Sequence, residues 1–113
     1  MIRSPMNAGR VEGPGGVWSE WKLITQEIAR DWLQRGPDRP TRVAVSEEIA
    51  RKMRSGRYVD HCGILWGANG QLLDGRNRLM AIAEAGVSIW MLVVYGINGG
   101  REDFMQTRDG CDA

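Results

Sequence analysis

The sequence lacks most of the features that would mark a membrane protein, a disulfide-rich secreted protein or a zinc protein. No apolar run reaches the ~18 residues of a membrane-spanning helix, and the start of the chain has no apolar segment typical of a signal peptide. Cys62 and Cys111 are too few for a disulfide framework, so we expect two free thiols and a soluble, reducing, cytoplasmic setting. His61 is the only histidine, which leaves a zinc site short of ligands, and no metal site is predicted.

Lysine is also scarce, and the overall charge is nearly balanced. Of the 15 basic residues only Lys22 and Lys52 are lysines, and the net charge is +1. A charge this small does not by itself require a nucleic-acid partner. The planar guanidinium of arginine suits phosphate and carboxylate groups, although a GC-rich genome produces the same bias toward arginine.

The 113 residues, 42% of them hydrophobic and 26% charged, are typical of one globular domain. Residues 1–16, rich in glycine and proline, are predicted to form a flexible leader, residues 17–97 the folded domain and residues 98–113 a tail. Helical periodicity and stop signals predict helices over 26–34, 42–55 and 75–85, with Thr25 as the N-cap of the first and Gly86 as the stop of the third. Strands are predicted over 17–24, 64–66, 71–73 and 89–95, with an Asn-Gly turn between the second and third.

These elements also predict some tertiary features. The nearly continuous apolar run 89–95 suits a central strand that is covered on both faces. The strand before the helix 75–85 is expected to run parallel to the strand after it. Of the five tryptophans, the three assigned to the core are Trp32, Trp66 and Trp90, and the two suspected of binding a partner are Trp18 and Trp21.

The junction between the third predicted strand and its helix carries the main functional signal. Asp74 is predicted to cap the helix, whose first turn presents unpaired N–H groups and a partial positive charge. The residues predicted to bind phosphate there are Gly75, Arg76, Asn77 and Arg78, since glycine permits close approach and arginine adds charged donors. The alternative is structural: Asp74 caps the helix while Arg78 pairs with an acidic neighbour and fixes the turn.

A second basic feature lies on and around the predicted helix 42–55. Seven basic against three acidic residues between positions 35 and 57 leave a local charge of +4. The arginines suited to follow a nucleic-acid backbone are Arg42, Arg51, Arg54 and Arg57. An ordinary solvated helix face explains the same residues.

The candidates for catalysis are Asp74 and His61, with His61 acting as a general base if Asp74 lies near it. A histidine that caps or packs in a loop is the alternative. A divalent-metal enzyme needs clustered carboxylates, and the sequence offers only Asp60, Asp74 and Glu84, without convincing spacing.

The segment LLDGRNRLMAIAEAGVSIWMLVVYGI resembles the Asp-Gly-Gln-His-Arg-Leu segment of ParB/sulfiredoxin-like domains, and more closely that of short ParB-like proteins from phages, plasmids and actinobacteria. The preceding RPTRVAVSEEIARKMRSGRYVDHCGILWGANGQ resembles the second helix and hairpin of that family, and ITQEIARDWLQRG its first helix. The resemblance covers about residues 24–97. It implies a small α+β domain of the ParB/sulfiredoxin-like type, with a mixed sheet of about four strands packed with about three helices.

The same segment departs from the family where chemistry is concerned. Arg76 stands where sulfiredoxins carry their catalytic cysteine, and Asn77 replaces the histidine of the commoner motif. Gly75 and Arg78 match the box that partition-type ParB proteins use on nucleotide phosphates. The resemblance therefore implies that binding is retained at this segment better than turnover.

For function, the resemblance implies a phage or mobile-element protein that acts on, or is regulated through, nucleic acid or nucleotide phosphates. We expect a ParB-like phosphate- or nucleic-acid-binding module without catalytic turnover. Two alternatives stay open: a divalent-metal nuclease or nucleotide hydrolase, and a small phage-type protein that binds and inhibits a host or defence protein. The cofactors consistent with these alternatives are a nucleotide and Mg²⁺. No membrane partner is expected, and the sequence does not indicate an oligomeric state.

Overall fold

The computed structural model describes residues 9–35, 43–59 and 62–98 of the chain. In order, the elements are β1 (Val11–Glu12), a 3₁₀ turn (Pro14–Gly16), β2 (Trp18–Ile24), α1 (Gln26–Arg35), α2 (Val43–Arg54), β3 (Ile64–Gly67), β4 (Leu72–Asp74), α3 (Arg76–Ala85) and β5 (Ile89–Ile97). The predicted α+β class is confirmed, with three α-helices and a mixed sheet of five strands in this part of the chain. The strand beyond the predicted four is β1, which lies within the predicted leader.

Local signals in the sequence account for the helix ends. Thr25 caps α1 as predicted, because its hydroxyl oxygen accepts a hydrogen bond from the Ile28 N–H at 3.2 Å. Gly86 ends α3 in the left-handed conformation, with φ 69°, and donates its N–H to the carbonyl of Ile82. These two ends place α1 directly after β2 and leave a short connection between α3 and β5.

The sheet has the order β1-β2-β5-β3-β4, so β5 is its central strand, as predicted. It is not covered by helices on both faces, because the three described helices pack on the side of Met91 and Val93 and the alternate residues are half-buried. The prediction that the strands flanking α3 are parallel is wrong. β3 pairs antiparallel with β4 but parallel with β5, so β4 and β5 run in opposite directions. The tight turn at 67–70 reverses the chain before α3 begins, and β5 then takes its place beside β3. The crossover to the parallel strand therefore contains β4 as well as α3.

One face of the sheet carries the core and all three helices. Met91 and Val93 of β5 are fully buried there with Ile64 and Trp66 of β3. The helices add buried residues to the same cluster, namely Ala29, Trp32, Ala50, Met53, Leu79, Ala81 and Ile82. The helix α3 packs against both α1 and α2. Its place between them makes α3 the element that positions the other two.

The assignment of Trp90 to the core is wrong, because Trp90 points to the other face of the sheet. Successive residues of a strand face opposite ways, and its neighbour Met91 is buried on the helix side. Trp90 is half-buried beside Leu23, its partner in the ladder between β2 and β5. An apolar strand does not reveal which of its two alternating sets will face the helices.

Cys62 is disulfide-bonded, so the expectation of a free thiol at this position is wrong. The only other cysteine in the sequence, Cys111, lies outside the described residues. None of the helices in the described ranges has both the length and the apolar character of a membrane span.

Gly75 fixes the junction between β4 and α3. Its φ of 115° lies in a region that glycine alone adopts easily, and a Cβ built on it would lie 2.5 Å from Cδ1 of Ile64. Ile64 is fully buried, so its side chain has little room to move away. Gly75 also occupies the N-cap position of α3 that was predicted for Asp74. The carboxylate of Asp74 instead accepts a hydrogen bond from the Gly75 N–H at 3.0 Å.

We expect Gly75→Ala to destabilise the protein more than Gly56→Ala, a matched control. Both glycines have positive φ, but nothing lies within 4 Å of a Cβ at Gly56. The strained backbone costs about 1–2 kcal/mol at each position, and overpacking against Ile64 adds about 1–3 kcal/mol at Gly75. Urea unfolding measures both variants. Equal losses would show that the close approach to Ile64 is not a constraint.

Candidate functional site

The junction where phosphate binding is predicted holds a buried ion pair. Nη2 of Arg78 lies 3.2 Å from Oδ2 of Asp74, and the two side chains are only 3% and 1% exposed. Removing two charges from water is costly, and such a pair is tolerated only when its geometry and further hydrogen bonds compensate. The hydrogen bond from the Gly75 N–H to Asp74 is one such compensation. The arrangement ties the first turn of α3 to the end of β4.

The four predicted phosphate-binding residues differ in how far they are open to a ligand. Gly75, Asn77 and Arg78 are buried, and Arg76 is half-buried. Arg78 pairs with an acidic neighbour, as the structural alternative for this segment requires. Arg76 is therefore the least buried of the four, although its Nε atom is itself buried.

The predicted nucleic-acid surface is more open. Arg51, Arg54 and Arg57 are all exposed, together with Lys52, whereas Arg42 lies outside the described residues. We call these four exposed residues, 51, 52, 54 and 57, the α2 basic surface. Arg51 is bound to Glu48 through its Nε at 3.1 Å, which lowers the pKa of Glu48 and raises that of Arg51. Within the described part of the chain, the other three members have no acidic group within 4 Å.

Of the two catalytic candidates, only Asp74 lies within the described residues. His61 and its neighbour Asp60 lie outside them, and Asp74 is held in the buried pair with Arg78. Glu84 is exposed on α3. Residues 9–35, 43–59 and 62–98 contain no group of three or more histidine, cysteine or acidic side chains placed to hold a metal ion.

Sequence reasoning missed a cleft of about 360 Å³ lined largely by aromatic rings. We call it the aromatic cleft; its lining residues are Trp18, Trp32, Arg35, Trp66, Gly67, Ala68, Gly70, Tyr95 and Gly96. They come from β2, α1, β3, the turn after β3 and the end of β5. The prediction that Trp18 binds a partner is the only sequence signal for this site, because the sequence pattern assigns Trp32 and Trp66 to the core.

The rings of the aromatic cleft are held in two fixed pairs. Trp18 and Tyr95 are stacked, with centroids 4.0 Å apart and planes 15° apart. Trp32 and Trp66 meet edge to face at 5.3 Å and 89°. The guanidinium of Arg10 lies 3.8 Å from the centroid of Trp18. Because stacked rings leave no room between them, the Trp18–Tyr95 pair acts as one rigid wall.

The hydroxyl group of Tyr95 anchors its ring to β2. Its hydroxyl donates a hydrogen bond to Oε2 of Glu20 at 2.9 Å. Desolvation by burial raises the pKa of Tyr95 well above its ordinary value, and the hydrogen bond and negative charge of Glu20 act in the same direction. The phenol therefore stays protonated while the protein is folded.

Comparison with protein-family models, with curated proteins and with solved structures finds no match to this chain. The resemblance to ParB-like domains accordingly stays a prediction from the sequence motifs.

The buried pair at the junction is expected to be strongly coupled. Arg78→Met leaves the buried carboxylate of Asp74 without the guanidinium of Arg78, which costs about 3–5 kcal/mol of folding free energy. The double variant Asp74→Leu/Arg78→Met is expected to lose less, because no charge is left behind. Arg51→Met, which breaks the exposed pair with Glu48, should change little. Urea unfolding of the double variant, of Arg78→Met and of Asp74→Leu measures the coupling. If the double variant loses the sum of the two single losses, the pair is not coupled.

Tyr95 is expected to make the protein sensitive to alkali. Its pKa is raised in the folded state, so its contribution to stability is fully present below the pKa of an unfolded tyrosine, about 10, and is lost as pH rises beyond it. Urea midpoints measured between neutral pH and pH ~11 should fall more steeply for the natural protein than for Tyr95→Phe. Glu20→Gln should flatten the dependence only in part, since burial remains. Parallel curves for Tyr95→Phe and the natural protein would contradict this.

Proposed function

We propose that this protein is a nucleic-acid-binding domain that contacts phosphates through the α2 basic surface, without catalytic turnover. The observation that carries the proposal is the exposure of four cationic side chains within seven residues of chain. No acidic residue lies between positions 51 and 57, so this segment has a charge of +4 in a protein whose net charge is only +1. A local field of this kind attracts the phosphate backbone.

Helix stability explains only part of this charge. Basic residues in the last turn interact favourably with the helix dipole, typically by about 0.3–1 kcal/mol each, and α2 has three of them. Arg57, however, lies beyond the last helical residue, Arg54. Glu48 pairs with Arg51. Within the described residues, no ion pair is made by the other three members of the surface, which are Lys52, Arg54 and Arg57. Unneutralised neighbouring charges repel one another, and a bound phosphate chain removes that repulsion.

Of the predicted phosphate site at the junction, the proposal retains only a part as a phosphate contact. Arg76 and the first amides of α3 supply a contact to phosphate, and Gly75, Asn77 and Arg78 hold that turn in place. We also propose, from the sequence resemblance, a ParB-like phage or mobile-element protein. We propose a cytoplasmic location on the same ground. The disulfide at Cys62 argues against that location, since reducing compartments rarely preserve such bonds.

The state of Asp74 supports binding without turnover. This carboxylate is the candidate for holding a metal ion or activating water, and it is instead buried against Arg78. A group in that position meets neither substrate nor solvent. The proposal therefore assigns Asp74 to the framework of the junction.

The proposal is tested by fluorescence anisotropy with labelled DNA over a range of salt concentrations. We expect affinity to fall steeply with salt, since each neutralised phosphate contributes a slope of about −0.9 for duplex DNA in log affinity against log salt. The double variant Arg54→Gln/Arg57→Gln should weaken binding to all sequences and lower the slope by about 2. The control is Arg30→Gln, which removes an exposed arginine from α1 and should leave the slope unchanged.

Two results would overturn the proposal. One is binding that does not depend on salt, and the other is an equal effect of Arg30→Gln and Arg54→Gln/Arg57→Gln. Cleavage of the DNA in the presence of Mg²⁺, lost in Asp74→Asn, would favour the enzyme alternative. Failure to bind any nucleic acid, with capture of one host protein at fixed stoichiometry, would favour the inhibitor alternative.

A further inference from the structure

The side of the sheet opposite the helices is almost entirely apolar. Residues paired across neighbouring strands point to the same side of a sheet, and successive residues of a strand alternate. Met91 and Val93 of β5 lie on the helix side, so their alternate neighbours point the other way. We call the residues that point this way the outer face; they are Ser19, Trp21 and Leu23 of β2, Trp90, Leu92 and Val94 of β5, and Leu65 of β3. None of them is charged.

Two leucines on this side of the sheet are deeply buried. Leu65 and Leu73 alternate with Trp66 and Leu72, which belong to the core under the helices. They are only 6% and 2% exposed, yet neither belongs to the cluster that the helices share. Leu73 moreover lies on β4, an edge strand. Because the three described helices pack on the opposite side, the burial of these leucines favours a further segment of chain lying against the outer face.

A disulfide indicates where such a segment is attached. Cys62 precedes β3, which begins at Ile64, and is disulfide-bonded. Cys111 is the only other cysteine in the sequence, so a bond within one chain can join only these two residues. A Cβ built on Gly63 would lie 2.9 Å from the carbonyl oxygen of Leu92. The chain next to Cys62 therefore runs beside the middle of β5, at a residue of the outer face.

The position of β5 fixes the other end of the segment. β5 ends at Ile97, which lies opposite Gly67 in the parallel pairing with β3. Because Cys62 precedes the start of β3, a chain that leaves Ile97 must return along the sheet by about 16 Å to reach it. The 14 residues of segment 98–111 can extend to about 46 Å, which is more than enough. The described helices occupy the helix side, so the outer face is the direct route.

The composition of segment 98–111 matches this route. Its large apolar side chains are Phe104 and Met105, which lie midway between Ile97 and Cys111. Five of its other residues are charged. A segment of this kind can bury its apolar centre on an uncharged surface and leave its charges in water. The gain comes from removing apolar area from water on both partners.

We propose that segment 98–111 crosses the outer face with Phe104 and Met105 packed on it, and that a disulfide between Cys62 and Cys111 holds it there. The outer face is thus an interaction surface whose occupant is a segment of the same chain, and reduction opens it. A dithiol breaks the S–S bond, leaves one thiol on each cysteine and is itself oxidised to a disulfide. This inference does not rest on the proposed function, because α2 packs on the helix side.

Hydroxyl-radical labelling of the full chain, read by mass spectrometry, tests the proposal. Trp21 and Trp90 report on the outer face, and Trp32, which belongs to the core on the helix side, is the internal control. In the oxidised protein, peptide mapping should join the peptides that contain Cys62 and Cys111. Reduction with dithiothreitol should raise the labelling of Trp21 and Trp90 severalfold and leave that of Trp32 unchanged.

Two double variants separate the apolar contact from the covalent attachment. Phe104→Ser/Met105→Ser should raise the labelling of the two outer-face tryptophans while the disulfide is intact. The matched control is Gln106→Ser/Thr107→Ser, which changes two polar neighbours and should leave the labelling unchanged. Cys111→Ser should reproduce the effect of reduction without any reductant.

Several results would overturn the proposal. Labelling of Trp21 and Trp90 that does not change on reduction of the natural chain would exclude the segment as the occupant, whether or not the variants fold. A rise at Trp32 as well would show that the disulfide holds the whole fold and not this segment. Equal effects of the two double variants would exclude the apolar contact. A disulfide-linked dimer on a non-reducing gel would place Cys111 against a second copy of the chain.

Discussion

The ion pair between Asp74 and Arg78 is the interaction on which the rest of the structure depends. It lies at the turn from β4 into α3, where Gly75 packs directly on Ile64 and leaves no room for another side chain. Both charges are out of water, so the turn is stable only in the geometry that keeps them together. α3 starts from this turn and packs against both α1 and α2. The pair thus ties to the end of β4 the helix that contacts both other helices.

Arginine serves two opposite purposes in this molecule, and burial distinguishes them. Arg78 faces inward, where a carboxylate neutralises it and its role is to hold the chain. Arg54 and Arg57 face outward, where no described carboxylate neutralises them. A buried charge without a partner would be too costly to keep, whereas an exposed one is stabilised by water and remains available to a phosphate. This difference is why the proposed function is assigned to the α2 basic surface and not to the junction alone.

The aromatic residues are divided in a similar way by the alternation of the strands. On β2, Trp18 lies on the helix side of the sheet and joins the aromatic cleft, whereas Trp21 lies on the opposite side. On β5, Tyr95 belongs to the cleft and Trp90 does not. The end of α1 contributes Trp32 and Arg35, and the turn after β3 closes the site. Four separate segments thus meet at the same end of the parallel pair β3 and β5, and none of them forms the site alone.

The sequence by itself determined the local elements of this protein. The spacing of apolar residues, the Thr25 cap and the Gly86 stop defined the helices, and the Asn-Gly turn defined the hairpin, because these signals act between residues close along the chain. Segment 72–79 was also recognisable as a special turn, and both roles considered for Arg78 were contained in it. The charge excess around α2 was visible as well, since charges can be counted without knowing the fold.

Only the tertiary structure decided which strands pair and which side chains meet. The position of β5 beside β3 and the outward face of Trp90 depend on partners distant in sequence. The choice between a phosphate-binding and a framework role for Arg78 turns on burial, which is produced by neighbours from several elements at once. The aromatic cleft is the extreme case, because its residues share no periodicity or motif and become a site only when the sheet and α1 are assembled. The sequence shows which residues are apolar, and only the packed structure shows which of them remain accessible to a partner.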